Sequence, residues 1–142
     1  MESQGRILVI DDSWVILQKL KARLTAQGFD VLTTTGVTAA AKLLKNVDLV
    51  IVDFHMPGED GKAVAGILRK ELGPDQSAQS ATSFYLYTSD EKIAGRYAEL
   101  GFDGGFLKKG DEEALVSQVD AVFRTIKMRK LAQKMKLQRG GK

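Results

Sequence analysis

Three aspartates, a threonine and two adjacent lysines stand where short apolar runs of this 142-residue chain come to an end. Ile7-Leu8-Val9-Ile10 stops at Asp11-Asp12, Leu49-Val50-Ile51-Val52 stops at Asp53, and Phe84-Tyr85-Leu86-Tyr87 stops at Thr88. A weaker run, Gly104 to Leu107, stops at Lys108-Lys109. Carboxylates gathered in one place repel, each pair by roughly 3 kcal/mol at about 5 Å and an effective dielectric near 20. Protonation or a bound cation relieves that repulsion. Oxygen-only ligands favour a hard ion, and Mg²⁺ with retained waters suits two or three carboxylates carried on loops. A carboxylate is also a nucleophile toward phosphorus, giving an aspartyl phosphate. Such a transfer asks mainly for positioning and charge neutralisation around the transferring group. A Mg²⁺, a lysine ammonium and a threonine hydroxyl aided by backbone N–H groups would supply it, and no histidine is needed as a base.

The elements that must position these groups alternate along the chain. The runs just quoted are apolar on both faces, as strands of a parallel sheet covered on both sides must be, and Asp30 to Thr33 is a further, weaker strand. Between them the period becomes helical. Ile16, Leu17, Leu20 and Leu24 form one stripe, stopped by Gly28; Val37, Ala40, Leu43, Leu44 and Val47 form a second. Val64, Ile67, Leu68 and Leu72 form a third, ended by Gly73-Pro74, before a surface loop from Pro74 to Ser83. Ile93, Ala94, Tyr97 and Leu100 form a fourth, and Leu115, Val119, Val122, Phe123 and Ile126 a fifth. Five strand–helix units predict an open α/β sheet with right-handed crossovers. In such sheets the functional crevice lies outside the carboxyl ends of the strands, where all the polar features above converge.

Composition narrows the chemistry. The chain has no cysteine and one histidine, His55, which excludes disulfides, thiol catalysis, cysteine-ligated metal centres and two-histidine sites. No apolar run approaches the roughly 20 residues of a membrane span, and the first residues lack a secretion-signal pattern, so a cytoplasmic location is expected. The net charge of +3 is uneven: residues 127 to 142 carry seven basic side chains and no acid, leaving residues 1 to 126 at −4. That tail is either a solvated end or a continuation of the last helix. It offers membrane or self-association contacts only weakly, and without aromatic residues it gives no basis for reading nucleic-acid bases.

Residues 6 to 126 resemble the receiver domain of two-component response regulators, most closely the single-domain chemotaxis type. The segments that carry the resemblance are Ile7 to Ser13, Val50-Ile51-Val52-Asp53-Phe54-His55-Met56-Pro57-Gly58-Glu59-Asp60-Gly61, Leu86-Tyr87-Thr88-Ser89 and Gly105-Phe106-Leu107-Lys108-Lys109, in the family's order and spacing. The resemblance implies a flavodoxin-like, doubly wound, five-stranded parallel sheet of order 2-1-3-4-5 with five helices, over a receiver domain at 1–126. It implies Asp53 as phosphoacceptor, and Asp11, Asp12 and Asp53 with the His55 backbone carbonyl as Mg²⁺ ligands. Thr88 takes the place of the switch hydroxyl and Phe106 that of the switch aromatic. In the family that aromatic lies three residues before the site lysine, which selects Lys109 over Lys108. Gly110 stands where the family usually has proline.

What the resemblance implies is a signalling phosphoacceptor rather than a true enzyme, with aspartyl phosphorylation and dephosphorylation that are self-catalysed. The phosphoryl donor would be a histidine kinase or phosphotransfer protein. The face formed by helix four, strand five and helix five, with Lys92, Arg96 and Tyr97, would contact a downstream protein. The alternatives are an interaction module that works without phosphorylation, a receiver cut from a longer regulator, and a small-molecule phosphatase. Dehalogenase-type phosphatases place a second aspartate two residues after the nucleophile, where this chain has His55.

Overall fold

The computed structural model describes residues 4–53, 63–71, 82–108 and 113–140. Strand β1 (Arg6–Ile10) is followed by α1 (Trp14–Ala26), β2 (Asp30–Thr34), α2 (Val37–Lys42) and β3 (Leu49–Asp53). Helical backbone over 63–71 forms α3. Then come β4 (Ser83–Thr88), α4 (Glu91–Gly95), β5 (Gly104–Leu107) and α5 (Glu113–Gly140). The five strands are all parallel and lie in the order β2-β1-β3-β4-β5, the flavodoxin-like arrangement that the sequence implies.

Period-two alternation divides the strands between two cores. Ile7, Val9, Leu49, Ile51, Tyr87 and Phe106 pack with Leu17, Leu20 and Leu24 of α1 and with Leu115, Val119 and Phe123 of α5. Leu8, Ile10, Val50, Val52, Phe84 and Leu86 face the other way, against Ala40, Val64, Leu68 and Phe102. Each such side chain stabilises the fold by roughly 1.5–3 kcal/mol relative to an exposed position. A sheet buried on both faces has only its strand ends left for polar chemistry.

Two helices are shorter than the apolar spacing predicts. The second stripe predicts a helix reaching Val47, but α2 stops at Lys42 and Asn46 takes a positive φ of 62°. Leu44 and Val47 are buried all the same, from turns rather than from a helix. The fourth stripe predicts a helix to Leu100, but α4 stops at Gly95 and residues 96–101 are turns. In both places apolar side chains at helical spacing are buried by a chain that is not helical.

The last helix runs through the basic segment to Gly140, about 42 Å at 1.5 Å per residue. Leu115, Val116, Val119, Phe123 and Ile126 are its buried face. Beyond them, Lys130 Nζ donates to Asp48 Oδ1 at 2.6 Å, and Arg129 to Ser83 Oγ at 3.4 Å, tying the helix to the residues that lead into β3 and β4. Met128, Leu131 and Met135 are exposed. No helix of the described residues is long and apolar enough to cross a membrane.

Candidate functional site

The strand ends deliver the site. Ile10 pairs with Val52, Asp53 with Tyr87, and Thr88 with Leu107, so Asp11, Asp53, Thr88 and Lys108 fall along one edge of the sheet. Ser13 caps α1, its Oγ accepting from Ile16 N at 3.4 Å, so neither aspartate is consumed by that helix end. Asp11, Asp12 and Asp53 each present a carboxylate oxygen within 4.8 Å of the others'. Asp11 and Asp53 are buried, at 1% and 6% exposure, while Asp12 is exposed.

Burial is costly for Asp11. One of its oxygens accepts from Ser13 N at 2.9 Å, and the other, Oδ2, is buried with no hydrogen-bond partner. Desolvation raises its pKa from 3.8 to about 6; the Ser13 amide opposes the rise, and the charge on Asp53 adds to it. A buried carboxylate oxygen lacking a partner, beside two more carboxylates, is what a cation would satisfy. The donor set is all oxygen and fits Mg²⁺ with retained waters, at a spacing that side-chain rotation closes.

Opposite the acids is a lysine. Lys108 Nζ lies 3.4 Å from Asp53 Oδ1 and 4.8 Å from the centre of the Tyr87 ring. Its backbone N–H donates to Thr88 O at 2.8 Å, which fixes where the side chain starts. Lys109, the lysine that the spacing from Phe106 selects, lies outside the described residues, as do His55, Met56-Pro57, Gly61 and Gly110. Among the described residues, the lysine at Asp53 is Lys108.

Phe106 lies on β5, the strand that leads into Lys108. It is 2% exposed, stacks on Tyr85 with ring centroids 4.8 Å apart, and belongs to the core beneath α1 and α5. Its neighbour Gly105 pairs with Leu86 and faces α4. Phe106 and Gly105 point to opposite faces of the strand. Thr88 is where the sequence places it, ending β4 at 1% exposure, and its Oγ1 accepts from Asp90 N at 3.1 Å.

An acidic trio at the carboxyl edge of a flavodoxin-like sheet, with a lysine against its central member, defines a class. The chain belongs to the response regulator receiver domain family, whose model matches residues 7–120. Among curated relatives it is 30% identical to a probable transcriptional regulator ycf27 of Cyanidium caldarium, over 89% of this chain and 49% of that protein. It is 32% identical to the transcriptional regulatory protein AruR of Pseudomonas aeruginosa, over 86% of this chain and 50% of that one. The chain spans about half the length of these relatives. Among solved structures, the response regulator TrrA of Thermotoga maritima in complex with Mg²⁺ and beryllofluoride is 29% identical, with a TM-score of 0.65 over 82% of this chain and 97% of that one. The chemotaxis response regulator CheY4 of Vibrio cholerae shares the fold, with a TM-score of 0.69 and 24% identity over 83% of this chain and 98% of that one. This is a receiver domain of two-component signalling.

Proposed function

We propose that Asp53 accepts a phosphoryl group from the phosphohistidine of a kinase or phosphotransfer protein. A carboxylate oxygen of Asp53 bonds to phosphorus, the donor's N–P bond breaks, and the released imidazole nitrogen takes a proton. Asp11, Asp12 and Asp53 hold Mg²⁺, together with the backbone carbonyl of His55. The ion, when bound, neutralises charge on the transferring group. Lys108 stands at the same oxygens from the other side, and Thr88 supplies a hydroxyl that turns toward the phosphoryl group. The observation that carries this reading is the joint placement of Asp11, Asp12 and Asp53 within 4.8 Å with Lys108 Nζ at 3.4 Å from Asp53.

The protein is then a cytoplasmic switch whose output is a change of protein contacts on the face made by α4, β5 and α5, where Lys92, Arg96 and Tyr97 stand. Residues 1–126 form the receiver, and the basic segment from residue 127 continues its last helix to Gly140. Incubation with acetyl phosphate and Mg²⁺ tests the reading. The expected result is a covalent, hydroxylamine-labile phosphoryl adduct seen by intact mass, absent in Asp53→Ala. A chain that gains no phosphoryl group under these conditions, and binds its partner equally well as Asp53→Ala, is an interaction module instead.

A further inference from the structure

The last turns of α5 carry an apolar stripe that the receiver core does not use. Among the described residues, Met128, Leu131 and Met135 are the exposed large apolar side chains of this segment. Their spacing of three and then four residues is that of the a and d positions of a heptad. At 100° per residue they span only about 60° of the helix circumference, a seam rather than a broad face. The seam lies about 150° round the helix from Leu115, Val119, Phe123 and Ile126, which pack into the core.

The ties between this segment and the body leave the seam open. Lys130 and Arg129, which reach Asp48 and Ser83, leave the helix about 130° from the seam's centre. Asp48 precedes β3 and Ser83 begins β4, so the segment stands at the amino edge of the sheet, opposite the edge that holds Asp53.

Charge decides what covers the seam. Residues 127 to 142 hold seven basic side chains and no acid. Lys127 and Lys134 run along one side of the seam and Lys136 along the other, and all three are exposed. Among the described residues none of the three forms an ion pair. A second copy would set basic flank against basic flank, whether the helices ran parallel or antiparallel. A lipid surface takes up a broad apolar face with aromatic or leucine side chains, whereas this stripe is narrow and holds two methionines and one leucine.

We infer that Met128, Leu131 and Met135 form a docking seam for an acidic amphipathic helix of another protein. That helix carries aliphatic side chains at its own a and d positions and Asp or Glu beside them. Leu131 is the central anchor, and the unbranched methionines adapt to the partner's shape. Lys127, Lys134 and Lys136 face its carboxylates, which fixes the choice of partner. The inference goes beyond phosphoryl acceptance and does not rest on Asp53.

The test uses the full chain and a fluorescent peptide of about three heptads, with leucine at a and d and glutamate at the flanking positions. Its glutamates oppose pairing of the peptide with itself. Anisotropy titrations are expected to show saturable, one-to-one binding. Leu131→Ser, and the pair Lys127→Glu with Lys134→Glu, are expected to weaken it roughly tenfold or more, and Leu131→Met to restore it. These positions are exposed, so the variants are expected to melt with the wild type. The same peptide with lysine in place of glutamate is expected not to bind. No binding of the glutamate peptide, or binding indifferent to Leu131→Ser, overturns the inference. A dimer of the chain alone in sedimentation, lost in Leu131→Ser, overturns it in favour of a second copy. Leu131-dependent binding to phosphatidylserine-containing vesicles that is tighter than binding to the peptide overturns it in favour of a lipid surface.

Discussion

Lys108 Nζ reaches Asp53 Oδ1 at 3.4 Å across 55 positions of chain, from the first residue after β5 to the last residue of β3. The side chain crosses the Tyr87 ring on the way, which limits the directions it can take. A cation held there stabilises charge on a group being transferred to Asp53 more than it stabilises the resting carboxylate.

Replacing Lys108 with alanine is therefore expected to slow labelling by acetyl phosphate roughly a hundredfold, as removal of one preorganised charge-stabilising donor does. Lys109→Ala, at the lysine that the spacing from Phe106 selects, is the comparison. Time courses of intact mass for the two variants decide between the adjacent lysines.

Asp11 makes stability depend on pH in a direction opposite to most carboxylates. Its pKa rises from 3.8 to about 6 on folding because burial desolvates it, so the folded state holds the proton longer. The stability it contributes is fully present below about pH 3.8 and is lost as pH rises through about 6, a loss of order 3 kcal/mol. In chelator, Asp11→Asn is thus expected to melt higher than the wild type at pH 8 and about equally at pH 4. Mg²⁺ competes with that proton, so its binding, read by fluorescence of the neighbouring Trp14, is expected to weaken as pH falls below about 6.

Phe106 is a packing residue by its surroundings. Truncation to alanine removes a side chain that is 2% exposed and stacked on Tyr85, and is expected to cost about 3–5 kcal/mol of unfolding free energy. Phe106→Leu keeps most of the volume and is expected to retain the fold and phosphoryl acceptance. Denaturant melts and intact mass on the pair check this.

Asp48 joins two distant parts of the chain. Its carboxylate accepts from Arg6 N at 2.9 Å and from Lys130 Nζ at 2.6 Å, linking the start of β1 to the extension of α5. Asp48→Ala is expected to lower stability by about 1–2 kcal/mol and to speed amide exchange in α5 beyond Ile126. Equal exchange there in both proteins would show that the core face of α5 alone holds the helix.

Much of the site was legible before any coordinates. Ile7 to Ile10, Leu49 to Val52 and Phe84 to Tyr87 are apolar at every position, which only a strand buried on both sides tolerates, and each ends at the polar residue the site uses. Asp11, Asp53 and Thr88 were thus placed by where hydrophobicity stops. The ends of α2 and α4 were not legible, because Leu44, Val47 and Leu100 have helical spacing yet pack from turns.

By itself the sequence determined the sheet, its two cores and the three acids at one edge, since these follow from the period and length of apolar runs. That Lys108 Nζ comes to Asp53 and that Phe106 stacks on Tyr85 belonged to the tertiary structure. Neighbouring side chains on extended backbone point to opposite faces, so a shift of one residue exchanges one face of the sheet for the other. Composition does not record that offset. It is set by the register in which Thr88 meets Leu107.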